Sequence, residues 1–135
     1  MSNFMLEVFA ADSPFYVGEC SSLVLPTPGG QYGVLAHHSN MISAVVPGLL
    51  EITLPNGEVR RAAVSNGIVK IENNSVLILV DSAERPEDID ISRARRSAEE
   101  AKEQLLQKQS IIAYRATEAY LARALNRIKI GSKYL

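Results

Sequence analysis

The sequence predicts an α+β chain: an antiparallel β-sandwich or flattened barrel over residues 1–85, then a two-helix antiparallel hairpin over residues 86–135. Three observations carry this. Before Glu84, apolar residues come in short runs, with turn signals every eight to ten residues and no helical period. Beyond Ile91 they recur at steps of three and four. Between lies Ala83-Glu84-Arg85-Pro86-Glu87-Asp88-Ile89-Asp90-Ile91-Ser92-Arg93-Ala94. Pro86 cannot continue a strand ladder and holds Arg85 extended, and Asp88 or Asp90 can cap the helix that follows.

Taken in order, Phe4-Met5-Leu6-Glu7-Val8-Phe9-Ala10 alternates as a strand, and Asp12-Ser13-Pro14 reads as a turn. Residues 15–17 and 20–25 read as strands, interrupted by Pro26-Thr27-Pro28-Gly29-Gly30. Residues 32–36 and 42–46 are short strands around a polar corner, His37-His38-Ser39-Asn40. After Pro47-Gly48, residues 49–54 and 59–64 flank Pro55-Asn56-Gly57, where Asn-Gly tolerates the positive φ of a tight turn. Ser65-Asn66-Gly67 and Asn73-Asn74 bound a strand over residues 68–72. Residues 76–80, Val-Leu-Ile-Leu-Val, predict a central strand covered on both faces.

In the second part, Ile91, Ala94, Ala98, Ala101 and Leu105 form one helical stripe, and residues 107–110 are polar enough to reverse the chain. A second helix is expected from Ile111 to about Ile130, ended by Gly131-Ser132, with Ala113, Ala116, Ala119, Ala122 and Ala124 among Tyr120, Leu121, Leu125 and Ile128. Small residues let two helix axes approach closely yet bury little area. The pair is therefore weakly held, and strong helix formers would keep each helix intact if it opened.

Composition narrows the function. A hydrophobic fraction of 47% with 21% charged suits a folded chain, and no apolar run approaches a membrane span. No positive charge precedes the apolar residues near Met1, unlike a secretory signal. Cys20 is the sole cysteine, read as a small buried residue, and the chain is expected in the cytosol. The net charge of -1 divides into -5 over residues 1–84 and +4 over residues 85–135. Such a basic segment docks on an acidic surface or is simply a solvated helix face.

No catalytic constellation stands out. His37 and His38 are adjacent and have no further His or Cys cluster to build a metal site. Gly29-Gly30-Gln31-Tyr32-Gly33 lacks the Lys-Ser/Thr of a phosphate loop, and acidity over residues 1–84 disfavours nucleic acid. An antiparallel hairpin would bring Asp90 and Arg93 near Arg123 and Arg127. Three guanidiniums beside a helix N-terminus suit a phosphorylated ligand; salt bridges with Asp90 and Glu87 are the alternative.

Gly30-Gln31-Tyr32-Gly33-Val34-Leu35-Ala36-His37-His38 resembles the Gly-Glu-x-Gly-x-Leu-x-x-His signature of the ε subunit of F-type ATP synthases. Pro47-Gly48-Leu49-Leu50-Glu51-Ile52, Val64-Ser65-Asn66-Gly67-Ile68-Val69-Lys70-Ile71 and residues 76–84 resemble further segments of that family, in its order. The resemblance implies a non-catalytic rotor subunit, peripheral on the cytoplasmic face of the cell membrane as part of the complex. Its sandwich would hold the γ subunit and stand on the c-subunit ring. Its hairpin would fold up or extend into the catalytic α/β head and block ATP hydrolysis. It implies no required cofactor, with ATP as a regulatory ligand.

Ile89-Asp90-Ile91-Ser92-Arg93-Ala94 resembles the motif of members that bind ATP. By that resemblance Glu84, Ile89, Asp90, Arg93, Ala94, Arg123 and Arg127 are nucleotide contacts, and Gln31 and His38 are rotor contacts. Three positions depart from the family pattern. Glu100 stands where some members have arginine, Gln31 where glutamate is usual, and Asn40 where proline is common. A free-standing ATP sensor built on the hairpin arginines is the competing reading.

Overall fold

Alternating apolar patterning becomes ten strands, and the helical period becomes two helices. The computed structural model describes residues 2–11, 13–106 and 111–134. These divide into two units, Met1–Glu84 and Arg85–Leu135. The strands are β1 (Phe4–Ala10), β2 (Ser13–Cys20), β3 (Ser22–Thr27), β4 (Gly30–Leu35), β5 (Met41–Val45), β6 (Gly48–Thr53), β7 (Val59–Val64), β8 (Gly67–Glu72), β9 (Ser75–Val80) and β10 (Ala83–Glu84). A short 3-10 turn, Pro86–Asp88, precedes α1 (Ile91–Leu105) and α2 (Ile111–Tyr134).

The first unit is a sandwich of two five-stranded sheets, β2-β1-β9-β8-β5 and β10-β7-β6-β3-β4. Inward side chains at every second position, among them Leu6, Leu25, Leu50, Ile52 and Ile78, fill the space between them. All pairings are antiparallel except β1 with β9, which is parallel. Cys20 is fully buried, and that burial pushes its thiol up to about 12.

Strand ends differ from the sequence reading in three places. Asp12 lies outside the described residues, but Ser13 and Pro14 open β2 rather than a turn. Pro14 is tolerated there because β2 is an edge strand and the register shifts between Val8 and Phe9. The break expected between residues 17 and 20 falls at Ser21, where the chain crosses between sheets and its N–H donates to the Thr53 carbonyl at 2.8 Å. Pro26 continues β3, since β6 pairs only with Ser22, Leu23 and Val24 and requires no donor at Pro26.

The turns follow their chemistry. Gly57 alone in its loop has positive φ, 91°, and its N–H donates to the Leu54 carbonyl at 2.9 Å. Asn73 and Asn74 both take positive φ, 52° and 60°, in the two-residue β8–β9 hairpin. Ser65-Asn66-Gly67 is a crossover between sheets rather than a hairpin. The Ser82 N–H donates to Ser65 Oγ at 2.8 Å, and the Asp81 N–H donates to the Asn66 carbonyl at 3.0 Å. A β-carbon at Gly67 would fall 1.9 Å from the Leu79 carbonyl oxygen, so only glycine fits this corner.

β9 corrects a further expectation. It is central in its sheet, but only Val76, Ile78 and Val80 face the core; Leu79 is 41% exposed. The strand is covered on one face.

In the second unit, Arg85 is extended before Pro86 (φ -70°, ψ 147°). Asp90 caps α1, its Oδ1 accepting the Arg93 N–H at 3.0 Å. The reversal expected at residues 107–110 lies outside the described residues. The helices run antiparallel, Ile91 lying near Gly131 and Ser97 near Tyr120. α1 buries Ala94, Ala98 and Ala101 as its stripe predicts. α2 buries Thr117, Ala124, Ile130 and Gly131, whereas Ala113, Ala116 and Ala122 face solvent. Gly131-Ser132 does not end α2. A β-carbon at Gly131 would lie 3.1 Å from Ile91 Cγ1 and 3.2 Å from Ile89 Cγ2. The glycine permits close helix approach instead of stopping the helix.

Candidate functional site

Asp90 decides where α1 starts, and so which end of the hairpin its N-terminal N–H groups occupy. Antiparallel pairing brings that end beside the last turns of α2, where Gly131 lies near Ile91; Arg127 is about two turns from the end of α2 and Arg123 is at its middle. Arg93 is exposed, and Arg123 and Arg127 are half-buried. The Arg123 guanidinium lies over the Tyr120 ring, 5.7 Å from its centroid, and the Tyr120 hydroxyl donates to Ser97 Oγ at 3.1 Å. Arg93 in the first turn of α1 and Arg123 beside the Tyr120–Ser97 contact place arginine charge along the first two turns of α1, an arrangement that can receive phosphate oxygens.

Ile89 and Ala94 are buried, 5% and 0% exposed, and Ile89 packs beside Gly131. They shape the hairpin seam. Asp90 uses one carboxylate oxygen on its own helix cap. Glu84 is the last residue of β10, opposite Ala63 in the sandwich unit. The Tyr120–Ser97 contact is not among the sequence expectations; its one signal there is that Tyr120 precedes Arg123 by one helical turn.

In the sandwich, Gln31 is the second residue of β4, and His38 lies three residues past the strand's end, its ring meeting the Tyr32 hydroxyl. Gln31 is exposed beside Gly30, whose φ of 113° favours glycine. His38 is held on both ring nitrogens. Nδ1 faces the Ser39 carbonyl at 2.7 Å and must donate, so Nε2 accepts from the Tyr32 hydroxyl at 2.7 Å in the neutral ring. His37 takes positive φ, 63°, and its N–H donates to Asn74 Oδ1 at 2.7 Å. Asn40 Oδ1 accepts the Asn73 N–H at 3.3 Å, a bond the proline common at this place could not make.

A second feature is a bare sheet face. On the outer side of β2-β1-β9-β8-β5 lie Met5, Val17, Ile42, Ile68 and Leu79, 40–71% exposed. The Lys70–Glu72 pair, 3.1 Å apart, borders them, and an open depression of about 320 Å³ lies between Met5, Glu7, Lys70 and Leu77. Its sequence signal is the unbroken apolar run of β9, which predicts cover on both sides. Among the described residues no group of His, Cys, Asp and Glu could hold a metal ion.

Residues 3–86 match the family of the ATP synthase delta/epsilon chain beta-sandwich domain, and residues 87–131 that of its long alpha-helix domain. The ATP synthase epsilon chain of Ruminiclostridium cellulolyticum is 40% identical over 133 residues, 98% of each chain. That of Caldanaerobacter subterraneus subsp. tengcongensis is 40% identical over 132 residues, 97% of this chain and 95% of the relative. The fold is similar to a chain in the Euglena gracilis mitochondrial ATP synthase OSCP/F1/c-ring assembly, with TM-score 0.81 and 22% identity over 93% of this chain and 79% of that one. It is also similar to a chain of the Tetrahymena thermophila mitochondrial ATP synthase central stalk and c-ring, with TM-score 0.68 and 13% identity over 94% and 95%.

Proposed function

Because the chain belongs to the epsilon chains of ATP synthase, we propose that it is a non-catalytic rotor subunit that couples proton translocation to ATP synthesis. The sandwich grips the γ subunit with its bare sheet face and meets the c-ring at the Gln31 end of β4. The observation that carries this reading is the apolar surface of Met5, Val17, Ile42, Ile68 and Leu79. A patch of this kind on a folded unit marks a protein-protein surface. A free-standing ATP sensor would have no use for it. The chain sits on the cytoplasmic face of the membrane through the complex; among the described residues no helix is long and apolar enough to cross it.

The hairpin is the regulatory part. Folded, it binds ATP between Arg93, Arg123 and Arg127; extended, it enters the α/β head and blocks hydrolysis. Only antiparallel pairing sets Arg93 on α1 beside the half of α2 that carries Arg123 and Arg127, so ATP would favour the folded form by its differential affinity. The isolated chain hydrolyses nothing, because converging arginines still need a group to orient or activate water.

Two experiments test the reading. Ile68→Glu with Leu79→Glu should abolish copurification with γ while the chain stays folded; undiminished copurification would remove the sheet face from the interface. For the hairpin, labelled cysteines replacing Ser92 and Asn126, with Cys20→Ser, report the distance between its helices. Millimolar ATP should deplete the open population in the parent but not with Arg123→Ala and Arg127→Ala. An open population indifferent to ATP would end the regulatory reading.

A further inference from the structure

We infer that Tyr120 is a positioning residue for Arg123, and that Ser97 anchors Tyr120 from the facing helix. The functional consequence rests on the nucleotide role proposed above for Arg123. Tyr120 and Arg123 are one turn apart on α2, and the guanidinium lies 5.7 Å from the ring centroid. A cation over an aromatic face is attracted by the ring quadrupole and, for arginine, by stacking. The ring does not rest on α2 alone, since its hydroxyl donates across the seam to Ser97 Oγ at 3.1 Å. Ser97 follows Arg93 by about one turn of α1. Arg93, Ser97, Tyr120 and Arg123 therefore form one strip across the two helices.

The strip has an energetic consequence. A long arginine side chain loses rotamer freedom when it grips a ligand, and one already laid on a ring loses less. Tyr120 is 44% exposed, so little besides Ser97 restrains its tip. Opening the hairpin withdraws Ser97, releases the ring and lets Arg123 wander. Arg123 is thus better preset in the closed hairpin, which widens the difference in phosphate affinity between the two forms.

The test uses the full chain with ATP as probe, and the resonances of the Arg123 side chain without it. In the parent, the Tyr120 ring current shifts the Arg123 resonances. Tyr120→Leu should return them to free-arginine positions. Tyr120→Phe, which keeps the ring and loses the hydroxyl, should leave a reduced shift, as should Ser97→Ala; Ser97→Thr should restore it. ATP affinity should fall about 5-fold with Tyr120→Leu and about 2-fold with Tyr120→Phe or Ser97→Ala, the scale of one exposed contact. In an Arg123→Ala background, Tyr120→Leu should have no further effect, whereas a merely structural tyrosine would still lower affinity. Unmoved Arg123 resonances in Tyr120→Leu, or a full affinity loss in the Arg123→Ala background, would overturn the inference. If Arg123→Ala binds ATP as the parent does, the nucleotide reading falls, and the resonances still decide whether Tyr120 places the arginine.

Discussion

The sandwich and the hairpin are held by different kinds of core. Between the sheets lie Leu6, Leu23, Leu25, Leu50, Ile52, Ile71 and Ile78, each 2% exposed or less. Along the hairpin seam lie Ala94, Ala98, Ala101, Thr117, Ala124, Ile130 and Gly131. A buried leucine contributes about 1.5–3 kcal/mol and an alanine much less, so the first core is held more strongly than the second. Each unit also has a crowded glycine. The missing β-carbon of Gly67 would meet backbone, 1.9 Å from the Leu79 oxygen, while that of Gly131 would meet isoleucine side chains at 3.1 Å or more. Backbone in a sheet ladder cannot yield, but a side chain can turn. The comparison teaches that the two units differ in how firmly they are held because of the size of the residues at their contacts.

The strongest way to break that comparison is Gly67→Ala. It should destabilise the sandwich by about 3 kcal/mol or more, read as a collapse of the denaturant midpoint, because the added methyl displaces backbone. A near-parental midpoint would mean the Ser65–Gly67 corner is softer than its geometry. Next, Leu50→Ala should lower sandwich stability by about 2–5 kcal/mol and leave helical content unchanged. Loss of helix in step with strand would show the two units to be one cooperative body.

The third prediction uses pH. Burial raises the folded thiol of Cys20 from 9.0 to about 12, so the unfolded chain releases this proton first. The associated stability is complete below pH 9 and is lost as pH rises toward about 12, with a slope of about 1.4 kcal/mol per pH unit. Cys20→Ala should flatten the alkaline limb of a stability-against-pH curve. An identical slope in both chains would mean the thiol ionises without unfolding.

Gly131→Ala sharpens the contrast from the other side. A gain in helix propensity of about 1 kcal/mol opposes mild crowding of Ile89 and Ile91, so hairpin closure should change by less than about 1 kcal/mol. An interhelical distance probe would detect a larger opening, and that result would place the seam among the rigid contacts. The smallest effect on the sandwich is expected from ending the chain after Asp88. Its sheet signal should unfold within about 1 kcal/mol of the parent, and inhibition of hydrolysis should disappear. A truncated chain that unfolds outright would refute the two-unit reading.

Local chemistry made much of the molecule legible in advance. Asp90 as helix cap, Pro86 after an extended Arg85, the Asn73-Asn74 hairpin and positive φ at Gly57 each depend on a few consecutive residues. The alanine stripe of α1 was equally readable, because a helix repeats its faces within the segment itself. The expected end of α2 near Ile130 put Arg123 close to that end, whereas the helix continues to Tyr134 and Arg123 lies at its middle.

What the sequence determined by itself was therefore the kind of element at nearly every position, and the joint at which strands give way to helices. Tertiary structure decided what lies against what. The parallel pairing of β1 with β9 joins strands from opposite ends of the sandwich segment, and no local pattern announces it. Leu77 and Leu79 look the same in sequence whether their face is covered or bare. Gly131 reads as a helix stop until Ile89 and Ile91 are seen against it. Tyr120 becomes more than a surface tyrosine only once Ser97 faces it. Turns and caps are set by short-range sterics and hydrogen bonds, whereas coverage, close approach and cross-seam contacts depend on residues far apart in the chain.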